Sequence, residues 1–600
     1  MAGLFAPAIS AAELRTAYLT PGTETLRESD IPATLPVAEA QRYRRIFALQ
    51  DKGEWDAADG EIRQLRDKLL LGHVLAQRYL DKRYRRVTYA ELQAWLADYA
   101  DLPDAPAIHT LAANRRPAHT KAPATPVGAP VPYRGVAHAA VDLKPVVKAA
   151  PKPLETGDAA RAAALRGELR AAIKDNRSWA QHLLRLGDGD GLLSEAEIDE
   201  ARSDLAEAFF FAGEDQEALI QAAMVRGDAY RPFAHWIGGL AAWRLNRMGD
   251  ARSHFEALAR TEGISPWNIS AAAYWASRVH LRAKRPQLVN YWLRLAAEQP
   301  RTFYGLIARR SLGQATWFNF EAEPFTRNDA ESLAATDAGR RILALIEIGQ
   351  NPRAERELRI VASQAGPTLL PALAGVADRG NMPAVSLRLA AMLSQRDGRK
   401  HDHAFYPAPR WEPEGGFTVD RALLFALMRQ ESEFLADAES PAGALGLMQI
   451  MPSTARDIAG KVGILLTDGG KRPRDLLPQK LREPETNLRL AQEYVQALLR
   501  NDAIKGNLVL FAAAYNSGPG TLARWKARPE FRDDPLLFLE SIPSRETRAF
   551  AEHVLTSYWI YRHRFGQPVK DLDALASGAW PVYAALDSAT DQVIRNAAAR

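Results

Sequence analysis

The sequence predicts an all-α protein, a helical-hairpin superhelix or solenoid followed by a second, mainly α domain. Three observations carry that expectation. Alanine-rich apolar runs are broken by short polar turns with few β-branched clusters, a pattern that favours helices over strands. A 36-residue repeat runs through the middle of the chain: Phe209, Leu245 and Leu281 are 36 apart, as are Gly213, Gly249 and Arg285, and as are Leu219, Phe255 and Tyr291. Near the C-terminal third, Leu423, Leu424, Leu427 and Met428 form a single apolar helical stripe.

Composition sets the outer limits. A length of 600 residues suits three or four domains, and 47% hydrophobic with 25% charged is ordinary for a soluble globular protein. No apolar run approaches the roughly 20 residues that cross a bilayer. The absence of cysteine excludes disulfides, thiolate metal sites and a cysteine nucleophile, and it suits passage through an oxidising compartment.

Residues 1–35 form an N-terminal segment in which Leu4–Glu13 ends in small residues like a signal-peptide cleavage site near Ala12. The basic start and full apolar core of a signal peptide are missing, so a remnant of a trimmed or late-started leader is expected. Residues 36–102 read as helices: Phe47 to Ala58 is a helix end, a turn at Gly53 and a second helix start. The Leu49/Gly53/Ala58 spacing recurs at Leu345/Gly349/Ala354, which joins this block to the later array as one discontinuous solenoid.

Residues 103–157 differ, because ten prolines between 103 and 153 cannot sustain a helix or bury a core. They are read as a basic Pro/Ala-rich linker or insertion. Between 105 and 154 seven Lys/Arg stand against Asp142 alone, a local excess of six beside the chain's net +5. The sequence pI of 9.1 is therefore no argument for nucleic acid, and neither a recognition helix nor an aromatic RNA-binding strand is present. A solvated tether, or weak attraction to an anionic surface, accounts for the charge.

Residues 158–400 carry the hairpin array, expected as a TPR-like superhelical domain. Its aromatics Trp236, Trp243, Trp275, Tyr291, Trp292 and Tyr304 are placed in the core by helical spacing, a sugar-binding face being the alternative. Asp188, Asp190 and Glu197 stand at calcium-loop positions around Gly191, but Leu186 occupies the first ligand position. Ser194 with Glu197 three later explains the same residues as a helix capping box. No metal or other cofactor is assigned.

Residues 401–565 form the last domain, entered through an extended connection at 401–419, and 566–600 is a tail without a legible role. Asp420 is placed to cap a helix whose apolar stripe continues into Glu431, four residues after Leu427. A carboxyl on a core-facing stripe is either one half of a structural ion pair or a group held protonated by burial, able to act as a general acid. Ser440 to Pro452 follows, small residues and glycines that allow close backbone approach, then methionines and one amide, like the wall of a groove. A loop at 461–484 and helices at 485–500 and 507–516 come next, the latter ending at Tyr515 and Asn516 before Gly518-Pro519, and Phe550–Phe565 is the last helix.

QES at 430–432, GLMQIMP at 446–452, AAYNSGPG at 513–520 and ESIPSRETR at 540–548 resemble, in order and spacing, the catalytic domain of the soluble lytic transglycosylases. These goose-lysozyme-like enzymes cut bacterial peptidoglycan. The resemblance covers about 410–565 and implies a lysozyme-like fold, a periplasmic location and a glycan-strand substrate. It implies Glu431 as the single catalytic acid/base, supported by Ser432. Ser440, Gly446, Gln449, Met451, Tyr515, Asn516 and Glu546 match substrate-groove positions.

A glycosidase ordinarily needs two carboxylates, and Glu433, Asp437 and Glu439 offer no convincing partner for Glu431. In the family the substrate substitutes: its N-acetyl carbonyl attacks the anomeric carbon, then its 6-hydroxyl closes a 1,6-anhydro ring. Two departures stand out, Ala549-Phe550 where relatives often carry a tyrosine, and a longer 461–484 loop. A wall-binding scaffold and a hydrolytic goose-type muramidase are the alternative functions. The solenoid could recruit wall-synthesis or division proteins, and a monomer without nucleic-acid partners or a transmembrane segment is expected.

Overall fold

The computed structural model describes residues 33–587 apart from 85, 128–142, 146–147, 323–324, 367, 463–472 and 529–532. The leader-like segment at 4–13 and the central part of the 461–484 loop lie outside the described residues. The fold is all-α: helices follow one another from Val37 to Ala576, and the β-structure among the described residues consists of isolated bridges. No helix of the described residues is long and apolar enough to cross a membrane. The chain divides into two compact units, residues 1–137 with 319–411, and residues 138–318 with 412–600.

In the first unit, one core joins Tyr43, Ile46, Phe47 and Val74 to Phe325, Ile342, Leu345, Leu358, Leu373 and Leu389. Residues far apart in sequence thus share one interior. The recurring Leu/Gly/Ala spacing has a concrete cause. Gly53 (φ 78°) ends helix Val37–Lys52 in the left-handed conformation, with Gly53 N–H on the Gln50 carbonyl and Glu54 N–H on that of Leu49, both 2.9 Å. Gly349 (φ 77°) repeats the closure on Ile346 and Leu345 at 2.9 and 2.7 Å. Ala58 and Ala354 are the fully buried residues that begin each return helix. His73 and Arg341 both meet the buried Glu357 carboxylate, at 2.9 and 2.7 Å, stitching the two halves of this unit together.

The proline-rich stretch departs from expectation. Residues Ala105–Arg115 form a helix, because Pro106 falls in the first turn, where its missing N–H costs no hydrogen bond. Ile108 and Ala112 bury against Trp95 and Leu96, so this part belongs to a core.

In the second unit, the helices from Glu195–Ala212 to Phe303–Ser311 pack each against the next as a hairpin array. The 36-residue register drifts. The left-handed turn residues are Gly213, Asn246 and Lys284, spaced 33 and 38 apart, while Gly249 lies inside a helix. Because one residue along a helix rotates a side chain by about 100°, the third copy is displaced: Leu281 and Tyr291 are exposed, and Trp292 is buried instead. Trp243, Trp275, Trp292 and Tyr304 are buried, with Trp243 edge-on to Trp275 at 5.3 Å, so these four are core, whereas Trp236 is half-buried and Tyr291 exposed. Ser194 and Glu197 make the capping box, and Asp188 lies on helix Arg177–Gly189 rather than in a loop.

In the C-terminal part of this unit, helix Arg421–Glu431 is buried on every side from Ala422 to Arg429 and packs along helix Arg545–Arg564. Asp420 does not cap it. Its carboxylate instead pairs with buried Arg562 at 2.8 Å and accepts from the N–H groups of Leu586 and Asp587 at 2.9 and 3.0 Å. The segment that looked like a tail is therefore part of the interior: helix Lys570–Ala576 follows, and Tyr583 and Asp587 close over the start of the Glu431 helix.

Candidate active site

Glu431 is the last residue of its helix, and the chain turns away at once, with Glu433 and Phe434 held in the left-handed region at φ 50° and 65°. The turn is fixed from below. Ser432, buried, donates its hydroxyl to the Leu447 carbonyl at 2.8 Å, which ties the helix end to the 446–451 segment. Ser432 is thus a support for Glu431 rather than an open binding group.

The 440–451 segment is a tight hairpin. The Ser440 N–H donates to the Ala444 carbonyl at 3.0 Å, the Ser440 hydroxyl accepts from the Ala444 N–H at 3.0 Å, and Leu445 and Ile450 bond reciprocally at 3.1 Å. Gly446 has φ 77°, and a Cβ there would lie 2.0 Å from the Leu481 carbonyl oxygen, so only glycine fits. Asn487, which sequence reading passed over, is the clamp: its amide donates to the carbonyls of Leu445 and Leu481 and accepts from the Met448 N–H at 3.0 Å. Gln449 donates to Ala438 and Gly446 carbonyls at 3.2 and 2.8 Å, which fixes the amide plane on the loop itself. Of the apolar wall expected from Met448, Ile450 and Met451, the first two are buried core, and Met451 alone is exposed. Met448 is held from both sides, its N–H by the Asn487 amide oxygen and its carbonyl by the Tyr515 hydroxyl, which fixes this turn against the core.

Helix Leu508–Ser517, capped by Asn507, delivers Tyr515 and Asn516. The Tyr515 hydroxyl donates to the Met448 carbonyl at 3.0 Å, and its ring stacks on Phe550 at 6.0 Å with 11° between planes. Asn516 accepts from the Thr547 hydroxyl at 2.6 Å, fastening this helix end to the start of helix Arg545–Arg564. Glu546 stands exposed in the first turn of that helix.

The electrostatics centre on Glu431. Its side chain keeps a partial window to solvent but is hemmed in by protein, and among the described residues it has no hydrogen-bond or ion-pair partner. Burial, with a smaller push from the Glu546 charge, raises its pKa to about 8. Burial and then the Glu431 charge also raise Tyr515 and Tyr494. Tyr494, 5.6 Å from Tyr515 ring to ring, is a second residue that sequence reading missed, since a tyrosine inside helix Pro484–Leu499 carries no local signal. The structure therefore brings Glu431, Glu546, Tyr494 and Tyr515 within electrostatic reach of one another. It places Gln449 and Ser440 on the adjoining hairpin, and Met451 on the hairpin's exposed end.

Fold and site together define an all-α protein with one proton-holding carboxyl at the end of a buried helix, walled by a glycine-dependent hairpin. Residues 412–538 match the family model described as Transglycosylase SLT domain. Over 365 residues it is 28% identical to the soluble lytic murein transglycosylase of Salmonella typhimurium, an alignment taking in 55% of this chain and 54% of that protein. Over 151 residues it is 35% identical to the protein of the same description from Escherichia coli K12, covering 25% of this chain and 22% of the relative. The chain thus spans about half, or less, of the length of these curated relatives. An inactive mutant of the lytic transglycosylase Slt from Pseudomonas aeruginosa has the same fold at 20% identity, with TM-score 0.51 over 89% of this chain and 88% of that one.

Proposed function

We propose that the protein is a peptidoglycan lytic transglycosylase that cleaves the MurNAc-GlcNAc bond without water, leaving 1,6-anhydro-muramic acid ends. The observation that carries this reading is the Glu431 carboxyl, unpartnered among the described residues and protonated up to about pH 8. As an acid it donates its proton to the leaving glycosidic oxygen as the anomeric C–O bond breaks. The substrate's N-acetyl carbonyl oxygen bonds to the anomeric carbon. The 6-hydroxyl oxygen then displaces that carbonyl, and its proton returns to Glu431, so every atom and proton is accounted for.

The other residues hold the frame. Ser432, Gly446 and Asn487 fix the hairpin beside Glu431, and Ser440, Gln449, Met451, Tyr515, Asn516 and Glu546 are the proposed substrate contacts. The negative charge of Glu546 favours the protonated form of Glu431. A tethered 6-hydroxyl has the advantage of effective concentration over a water. We place the reaction in the periplasm, with the helical array as a surface for the wall or its assembly proteins and the chain acting as a monomer.

Clearing of purified peptidoglycan, followed by turbidity, tests the assignment. The Glu431→Gln variant should lose clearing by about 10²–10⁴-fold while still binding; equal clearing by both proteins rejects it. Mass spectrometry separates the two chemistries. Products lighter by one water and lacking a reducible end support transglycosylation, whereas oxygen-18 from solvent in each new end indicates hydrolysis with Glu546 as the base.

A further inference from the structure

A cleft of about 740 Å³ lies between the first helices of the second unit's array and the start of helix Arg545–Arg564. Its two walls are separated by more than 300 residues of chain and are held together by two contacts. Arg528 donates to the Phe211 carbonyl at 2.7 Å, and Arg545 makes a two-pronged pair with Glu207, both bonds 3.0 Å. Arg545 immediately precedes Glu546, so the cleft begins where the site of Glu431 ends.

The charge of this cleft is not neutralised from within. Its two acids are already engaged: Asp204 and Glu207 both meet Lys144, at 2.6 and 2.7 Å, and Glu207 also holds Arg545. Burial opposes the Glu207 charge, but the bond to Arg545 and the adjacent cations hold its pKa below the ordinary value, so Glu207 remains ionised and paired. Arg177 pairs with exposed Glu214. Arg170 and Lys174, one turn apart on helix Thr156–Asp175, have no hydrogen-bond or ion-pair partner among the described residues. Like charges at i and i+4 disfavour a helix by a few tenths of a kcal/mol, and most other arginines near this cleft are paired.

The floor is apolar, formed by Ile173, Ala208, Phe211 and Pro543. A ligand that fits must therefore present carboxylates beside short aliphatic groups, which a phosphate or a bare sugar does not. We propose that this cleft binds the carboxylate-bearing stem peptide of a peptidoglycan strand whose glycan lies at Glu431, with Arg170 and Lys174 as the cations that meet its acids. The proposal rests on the peptidoglycan reading above. It makes the array a part of substrate selection: peptide-bearing strands are held at two points, peptide-free strands at one.

The test uses the full chain and the R170E/K174E variant, substituted at two exposed positions, with a melting curve checking that it folds. Isothermal titration with free stem peptide, released from wall by an amidase, should show saturable binding to wild type that weakens with added salt. The variant should bind roughly tenfold more weakly. Its kcat/KM on peptide-bearing strands should fall by a similar factor, with turnover of amidase-stripped glycan unchanged. Equal peptide affinity in both proteins, or an equal loss on both substrates, overturns the proposal. If wild type cleaves neither glycan, the enzymatic reading fails by itself, and the titration alone decides the cleft.

Discussion

The Tyr515 hydroxyl donates a hydrogen bond to the Met448 carbonyl at 3.0 Å, joining two motifs 67 residues apart into one wall beside Glu431. Removing that donor leaves a carbonyl without its partner, at a cost of about 1–2 kcal/mol. Tyr515→Phe should therefore lower the midpoint of thermal unfolding by a few degrees, retain the stack on Phe550, and lower kcat more than it raises KM, checked by melting curves and turnover of defined muropeptides.

With Glu431 as the proposed acid, the pH profile should end on its alkaline side near pH 8, because burial keeps its proton until about that value. Glu546→Gln removes the secondary, like-charge push. The alkaline limb should then move to lower pH, measured as kcat/KM against pH on a soluble glycan.

Stability carries the same signature with a definite sign. A carboxyl with a folded pKa of about 8 and an unfolded value near 4.5 is bound to its proton more firmly in the folded state across that interval. The native protein loses stability as pH rises from about 4.5 to 8, by on the order of 5 kcal/mol at most. Glu431→Gln cannot ionise and should melt higher than wild type at pH 8 while matching it at pH 4, as denaturant titrations at both pH values will register.

Gly446→Ala should damage both folding and activity. The new methyl would sit 2.0 Å from the Leu481 carbonyl oxygen in a left-handed conformation, so the hairpin must shift. A loss of about 2–4 kcal/mol is expected, read from urea unfolding, with activity on peptidoglycan falling as Ser432 loses its Leu447 anchor.

Asp420→Ala strands Arg562, whose guanidinium is 1% exposed, and leaves the Leu586 and Asp587 N–H groups unbonded. Breaking such a buried pair costs about 3–5 kcal/mol. Chemical denaturation should show that loss, and hydrogen exchange should show 583–587 opening early.

Much of the site was legible in the sequence because its residues are locally abnormal. Glu431 continues an apolar stripe, and Gly446 and Gly518 sit where backbone must turn at positive φ. Asn487 and Tyr494 escaped notice for the opposite reason. Each is an ordinary residue inside an ordinary helix, and its role comes from a distant partner, 39 residues away for Asn487 and the Met448 N–H and 21 for Tyr494 and Tyr515. Asp420 misled in the same way, since a residue with the chemistry of a cap found stronger partners in Arg562 and the tail.

By itself the sequence determined the helical class, the hairpin turns at Gly53, Gly213 and Gly349, and the place of the Glu431 carboxyl on an apolar stripe, because helix periodicity and left-handed glycine turns are local properties of the chain. Only the tertiary structure decided that residues 35–74 share a core with 325–393, that 76–112 close on a core of their own, and that the last 20 described residues seal the Glu431 helix. It alone decided that Met448 and Ile450 face inward and that Arg170 and Lys174 line a cleft with Arg545. Burial and charge pairing depend on which distant surfaces meet, and no local pattern encodes that choice.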